Sequence, residues 1–336
     1  MPSALSALHG AGSTVLSNLF ISLPTPKANS ELSEQIIIVT GSNTGLGLEA
    51  SRHLLRLGVG KLIMAVRNAN KGDAARQQLL TSTGRNESSI EVWPLDMDSY
   101  ASVQAFASRA SSQLPRLDGV LANAGIMTSK FSVSEGNEKT LTVNVISTVL
   151  LCLLLAPKMR ESGRETGNLC RFVIPNSALH YMAPLKELEL ERDIIAGLNI
   201  PERANMAGRY PLSKLLVLYG VRELAQRSEA AGRKESFIIN TPNPSYCKSD
   251  LGREMVTFGA RAAEKILARS TEEGSRTLVH AVFAGKESNG QYLTNCHVQR
   301  PASHVTGQWG QQVQKKFFDE LVANLEQIHP GVSANI

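Results

Sequence analysis

The chain has 336 residues, 42% of them hydrophobic and 19% charged, with 26 Gly, 14 Pro and 5% aromatics. That balance excludes a disordered charged tail, a collagen-like repeat and a small disulfide scaffold, and the length suffices to bury a large core in one or two domains. The net charge of +5 is spread thinly, without the run of Lys and Arg that marks a nucleic-acid arm, so no nucleic-acid partner is expected.

Residues 1–34 read as an N-terminal arm. Its first 26 residues hold no Lys or Arg, so they lack the charged start of a secretory signal and the arginines of a mitochondrial one. The scattered Leu5, Leu8, Val15, Leu19, Phe20 and Ile21 suit a segment that packs on the body, with a peripheral membrane contact as the alternative. From Gln35 onward, short apolar runs alternate with stretches of helical period, the pattern of βαβ units and a parallel sheet. Strands are expected at 36–40, 62–66, 90–94, 119–122, 171–175, 237–241 and 291–293. Helices are expected at 46–57, 74–80, 100–114, 140–159, 210–227 and 271–284.

Continuous apolar strands such as Ile36-Ile37-Ile38-Val39 imply burial on both faces. The reading is therefore an α/β fold: one doubly wound parallel sheet of about seven strands over residues 35–295, with additions at both ends. The segment Val143–Met159 is broken by Asn144, Ser147, Thr148, Pro157 and Lys158 and reads as a buried helix, not a transmembrane span. Two long connections, 178–209 and 245–268, leave the carboxyl ends of strands, where open α/β sheets bind ligands; they are candidates for a substrate wall. In the extension 296–336, Val313, Phe317, Leu321 and Leu325 recur with the period of a core-facing helix. Cys152, Cys170, Cys247 and Cys296 are far apart and form no metal or redox spacing, which points to a reducing, cytoplasmic compartment. The seven histidines make no ligand pattern, and no metal is implied.

The first strand ends in Thr40-Gly41-Ser42-Asn43-Thr44-Gly45-Leu46-Gly47 and runs directly into a helix. Glycines there permit a tight turn and close approach of backbone amides to a pyrophosphate, which the helix N-terminus favours. The second strand ends at Val66-Arg67-Asn68, about twenty residues on, where an NAD site carries an acid for the ribose 2′-hydroxyl and an Arg suits a 2′-phosphate. Arg67 therefore favours NADP(H).

The TGxxxGxG spacing, together with Tyr210-Pro211-Leu212-Ser213-Lys214, resembles the short-chain dehydrogenase/reductase family over about residues 35–293. The wording TGSNTGLGLEA followed by VRN is similar to retinol-dehydrogenase-like members and to fungal relatives in secondary metabolism. The resemblance implies a Rossmann-type fold and further site residues. Asp96, followed by Met97, would hold the adenine, with Asp98 or Ser99 capping the next helix. Asn123-Ala124-Gly125 matches a motif that braces the sheet near the ribose, with Ala122 in place of its first Asn. Asn243-Pro244-Ser245-Tyr246-Cys247-Lys248-Ser249 matches the stretch that closes over the nicotinamide; Pro244 and Ser249 would contact the cofactor.

Residues four apart on a helix share a face, so the Tyr210 phenol and the Lys214 ammonium point into one space. Lowering a phenol pKa from about 10 to about 7 takes roughly 4 kcal/mol of preference for the phenolate, which a cation in a partly dry site can largely supply. By resemblance, Tyr210 is the proton donor and Lys214 also holds the nicotinamide ribose. Ser177 orients the substrate oxygen. Asn144 either completes a proton relay or serves only its own buried hydrogen bonds. Three further positions depart from the family pattern: Asn176 replaces a serine, Ser147 a glycine and Ser245 a glycine. If the backbone at 245 needs a positive φ, a serine there costs strain.

These readings converge on an NADPH-dependent carbonyl reductase, or the reverse alcohol dehydrogenase. Tyr181, Met182, Leu185, Ile194, Ile195, Leu198, Met206, Tyr246, Met255 and Phe258 in the two connections suit a lipophilic small-molecule substrate such as a polyketide, terpenoid or retinoid. Two rivals remain open: a redox-neutral epimerase or dehydratase on the same fold, and a relic NADP-binding interaction protein. The resemblance also implies a homodimer, although the terminal additions stand to cover the usual helix interfaces.

Overall fold

The computed structural model describes residues 4–27, 30–233, 237–248, 251 and 267–336. Its centre is an eight-stranded sheet. The strands are β1 (Ile36–Thr40), β2 (Lys61–Val66), β3 (Ile90–Pro94), β4 (Gly119–Leu121), β7 (Cys170–Val173), β8 (Phe237–Asn243), β9 (Tyr292–Thr294) and β10 (His297–Val298), in the spatial order β10-β9-β8-β7-β4-β1-β2-β3. Every pairing is parallel except β9 with β10. A separate ribbon pairs β5 (Val133–Ser134) with β6 (Asn137–Glu138). The sequence leads to about seven strands. The eighth arises because Asn295 (φ 49) and Cys296 (φ 62) turn the chain back on β9 in a two-residue hairpin of left-handed residues.

Helices flank both faces: α2 (Gly45–Arg56), α3 (Ala69–Thr83) and α9 (Thr271–Phe283) on one, α4 (Tyr100–Gln113), α6 (Ser147–Thr166) and α8 (Met206–Ala230) on the other. The period of two in β1 explains why its whole run is apolar. Ile36 and Ile38 enter the core shared with Phe106, Leu150 and Leu215, while Ile37 and Val39 enter the core shared with Leu54, Leu79 and Leu278. Helix α6 follows the short α5 (Lys139–Leu141) and a five-residue π-helical widening at Thr142–Ile146. This run is long and apolar enough to cross a membrane, but 89% of its most apolar window is buried inside the protein.

Added pieces come from both ends. Helix α1 (Ala4–Phe20) crosses the 3-10 turn Ala178–Met182, where Gly10 lies so close to Tyr181 that a Cβ would stand 2.7 Å from the tyrosine Cβ. Connection 178–209 also holds α7 (Ile194–Leu198). The short α10 (Ser303–Thr306) and the long α11 (Gln308–Ile328) form the C-terminal extension, which buries Val313, Phe317, Leu321 and Leu325 on the face their spacing predicts. Gln314 donates to Glu223 on α8, Gln104 on α4 donates to the Ile328 carbonyl, and Arg160 on α6 donates to the Asn335 carbonyl. The extension thus lies across the outer side of the α4–α6–α8 layer.

Candidate active site

The strand order reverses direction at β1: β2 and β3 lie on one side, β4 and all later strands of the sheet on the other. Ligands of open α/β sheets sit in the crevice at such a point. Here it is built from the glycine turn after β1 and the Asn123-Ala124-Gly125 segment after β4. Gly41 takes φ 63, a conformation open to glycine at little cost. Gly47 is fixed by space: a Cβ there would meet both Gly41 O and Asn123 Nδ2 at 2.5 Å. Asn123 Nδ2 donates to Thr40 O (3.1 Å), and the Ala124 amide donates to Thr40 Oγ1 (2.8 Å), so the second segment braces the turn.

Thr44 occupies the N-cap of α2, with Gly45 and Leu46 in its first turn, while Ser42 and Asn43 form the bend before it. The Ser42 hydroxyl is buried with no hydrogen-bond partner among the described residues. An orphaned buried oxygen in a turn whose glycines leave room for close approach fits a phosphate-bearing group. Arg67 is exposed just past the end of β2 and forms no ion pair among the described residues. Asp96 is half-buried after β3 and accepts from the Asp98 amide, Met97 is buried, and Ser99 caps α4 by accepting from Ser102 N.

Around Lys214 the elements converge. Its ammonium donates to the Pro175 carbonyl at 2.8 Å and lies 5.5 Å from the centre of the Tyr210 ring. Tyr210 and Lys214 are both buried, and no group among the described residues hydrogen-bonds the Tyr210 hydroxyl. Asn176 donates to Lys214 O and Thr241 Oγ1 and accepts from the Ser177 amide, which gives the departure from serine a bracing role at the end of β7. Ser177 Oγ caps the next 3-10 turn by accepting from Leu179 N.

Asn144 sits in the π-helical widening. It accepts from Ile126 N and donates to Ile126 O and to Ser213 Oγ, whose hydroxyl donates to Tyr210 O. Gly125 passes so close that a Cβ would stand 3.2 Å from Asn144 Oδ1. The side-chain hydrogen bonds of Asn144 are thus satisfied by protein groups, and they connect the Gly125 segment to the helix carrying Tyr210.

One electrostatic expectation is corrected. In the protein alone the phenol is not pulled down by its lysine: burial pushes Tyr210 above the ordinary tyrosine range and pushes Lys214 down to about 8. Both groups leave water, so each is biased toward its neutral form. The wall residues also divide. Tyr181, Ile194, Ile195 and Leu198 are buried in the core and pack the connection down, Leu185 and Met206 are half-buried, and Met182 and Tyr246 are exposed. Met255, Phe258 and Ser249 lie outside the described residues, whereas Pro244 is buried at the end of β8.

Several residues here carried no signal in the sequence. His180, pushed down to about 3 by burial and hence neutral, lies with Nδ1 2.8 Å from Ser177 O. Arg209, beside Tyr210, is clasped between Glu138 (3.5 Å) and Glu187 (3.3 Å). Asn18 of α1 reaches the loop after β8. Each partner is remote in sequence, so no local pattern announces it.

Residues 35–171 match the family model for short chain dehydrogenases. The chain is 43% identical to the short chain dehydrogenase/reductase dmxR8 of Cryptosporiopsis sp. over 95% of its length and 98% of the relative's. Among solved structures, a short chain dehydrogenase from Escherichia coli complexed with NADPH superposes with a TM-score of 0.57 at 20% identity, covering 79% of this chain and 97% of that one. The 3-ketoacyl-(acyl-carrier-protein) reductase of Brucella melitensis complexed with NADH gives 0.56 at 18%, covering 78% and 97%. The chain belongs to the short-chain dehydrogenase/reductase family.

Proposed function

We propose that the protein is an NADPH-dependent oxidoreductase that reduces a carbonyl group of a lipophilic small molecule, or oxidises the corresponding alcohol. The observation that carries the reading is the buried Tyr210–Lys214 pair beside the end of β7, with a phenol hydroxyl that no described protein group engages. When bound, the dinucleotide supplies or accepts the hydride. The chain's part is position and proton. Gly41 to Gly47 offer backbone amides and the α2 N-terminus to the pyrophosphate, and Arg67 offers its guanidinium to a 2′-phosphate. Asp96 would hold the adenine. Tyr210, kept neutral by burial, holds the proton that a developing alkoxide needs. Ser177 orients that oxygen, and Lys214 sets a cation near the phenol and the ribose. Asn144 positions the helix that carries Tyr210.

Of the two solved neighbours described above, one carries NADPH and the other NADH, so the fold takes either dinucleotide. The choice of NADPH rests on Arg67 at the position where an acid would select the bare ribose. The lipophilic substrate rests on exposed Met182 and Tyr246, one in each of the two connections. All four cysteines are unpaired, which suits the reducing cytoplasm where we place the protein. Because the C-terminal extension covers the α4–α6–α8 layer, a homodimer would have to form on another face.

The test is titration with NADPH and NADH, followed by loss of 340 nm absorbance against a panel of lipophilic ketones. Expected are at least tenfold tighter binding of NADPH, a 1.4 kcal/mol preference at about 25 °C, and turnover of one ketone class. No dinucleotide binding would overturn the proposal. Product formation with no net absorbance change would replace it with the redox-neutral isomerase.

A further inference from the structure

The loop after β8 carries a strained residue with an unusual partner. Ser245 adopts φ 69, in the left-handed region that a Cβ disfavours. Its amide is held by Asn243 Oδ1 at 3.0 Å, and its hydroxyl donates to Asn18 Oδ1 at 2.6 Å. Asn18 belongs to α1, 227 residues away. The same Asn18 side chain donates 2.8 Å bonds to Tyr246 O and to Leu267 O. Around it, Arg269 is almost fully buried and donates to Ser17 O, Ser17 Oγ and Ile21 O, while its main chain bridges to Tyr246 and Lys248. The end of α1 is therefore built into this loop by directional bonds, not by apolar contact alone.

The loop in turn abuts the glycine turn. At Gly274 on α9, an added Cβ would run into Cys247 Sγ and stand 3.2 Å from Leu46 Cδ2 and 3.4 Å from Pro244 O. Leu46 lies in the first turn of α2, so the Pro244–Cys247 loop and the dinucleotide-binding turn meet over one glycine. Cys247 Sγ also lies 3.1 Å from Pro244 O, which folds the loop on itself.

We propose that Asn18 is a positioning residue for the dinucleotide: by accepting the Ser245 hydroxyl it holds the loop after β8, in its strained conformation, against the glycine turn. The inference rests on the proposed dinucleotide site and adds that the N-terminal helix is part of it. A serine in the left-handed region is favourable here only because α1 supplies the acceptor, so the strained residue and the added helix are one device. Glycine would take the same backbone without help; alanine would keep the strain and lose the bond.

That contrast is the experiment. NADPH binding is measured calorimetrically for the wild type, Ser245→Ala, Ser245→Gly and Asn18→Ala, with the KM for NADPH and kcat at saturating NADPH alongside. Expected are a roughly fivefold to tenfold weaker Kd for Ser245→Ala and for Asn18→Ala, the size of one lost hydrogen bond. Ser245→Gly should stay within about twofold of the wild type in both Kd and KM for NADPH, because glycine takes the same backbone without the bond. Equal affinities for the Ala and Gly variants overturn the inference, even if Asn18→Ala fails to fold. A wild type that binds no dinucleotide sinks the site reading itself, a separate result.

Discussion

The turn after β1 and the loop after β8 both leave carboxyl ends of parallel strands, and both place a residue in the left-handed region, Gly41 at φ 63 and Ser245 at φ 69. They achieve it by opposite means. At Gly41 the side chain is absent, and the brace comes from Asn123 and Ala124 after the adjacent strand β4. At Ser245 the side chain is present and is held by a helix at the other end of the chain. The nucleotide side is thus braced from the adjacent strand, and the loop after β8 meets it across Gly274. The facing side is assembled from the end of α1 and the loop after β8, and depends on long-range bonds.

Tyr210 lies on α8, outside both regions, so it tests whether the chemistry separates from dinucleotide binding. Replacing Tyr210 by Phe removes the proposed proton donor and leaves the glycine turn untouched. The expected outcome is a loss of kcat of about 10³-fold or more, within the upper range for a general acid, with the NADPH Kd within about twofold. Stopped-flow turnover and calorimetry measure the two. Coupled loss of binding would show that the phenol supports the dinucleotide site as well as the chemistry.

Arg209, too, lies outside both regions. It is 2% exposed, between a fully buried Glu138 and Glu187, whose carboxyl is pushed above its usual range by burial, and it donates to Leu198 O. Through it connection 178–209 is bound to β6 and α8. Arg209→Met leaves two carboxylates without their cation, and the expected destabilisation is about 3–5 kcal/mol, read from urea unfolding. Because the partners of Arg209 are Glu138, Glu187 and Leu198, none of them in the glycine turn or the loop after β8, the fraction that remains folded should bind NADPH with unchanged affinity.

The same contrast explains what the sequence discloses. The central strands β1 and β3, and helices such as α4 and α9, fall within a residue or so of their expected bounds, because buried strands and amphipathic helices write their period locally. The glycine turn, Asn123 and the Tyr210–Lys214 pair are legible for the same reason: their geometry is fixed within one or two adjacent elements. Ser245 could be read only as a departure, since nothing near it in the chain names Asn18. Tyr181, Ile194 and Leu198 illustrate a second limit. An apolar residue in a long connection reads alike whether it faces a substrate or the core, and only packing separates the two. Arg209 and Glu138 show a third, because a buried ion pair is invisible until topology brings remote charges together.

Lys214 offers the finest test, because its charge belongs to the site while its burial belongs to the core. Burial lowers its pKa to about 8, below the ordinary lysine value. Above pH 8 the free protein loses the ammonium, so NADPH affinity should fall, by about fivefold between pH 8 and 9 for a single titrating group. Folding stability moves the other way. Between about 8 and about 10.4 the unfolded chain holds a proton that the folded one has released, so stability rises with pH across that window. Lys214→Arg keeps a cation at every accessible pH and should flatten both trends. Parallel pH series of NADPH titration and urea unfolding on the two proteins read the result; an affinity limb near pH 8 that survives in the Arg variant would assign it to another group.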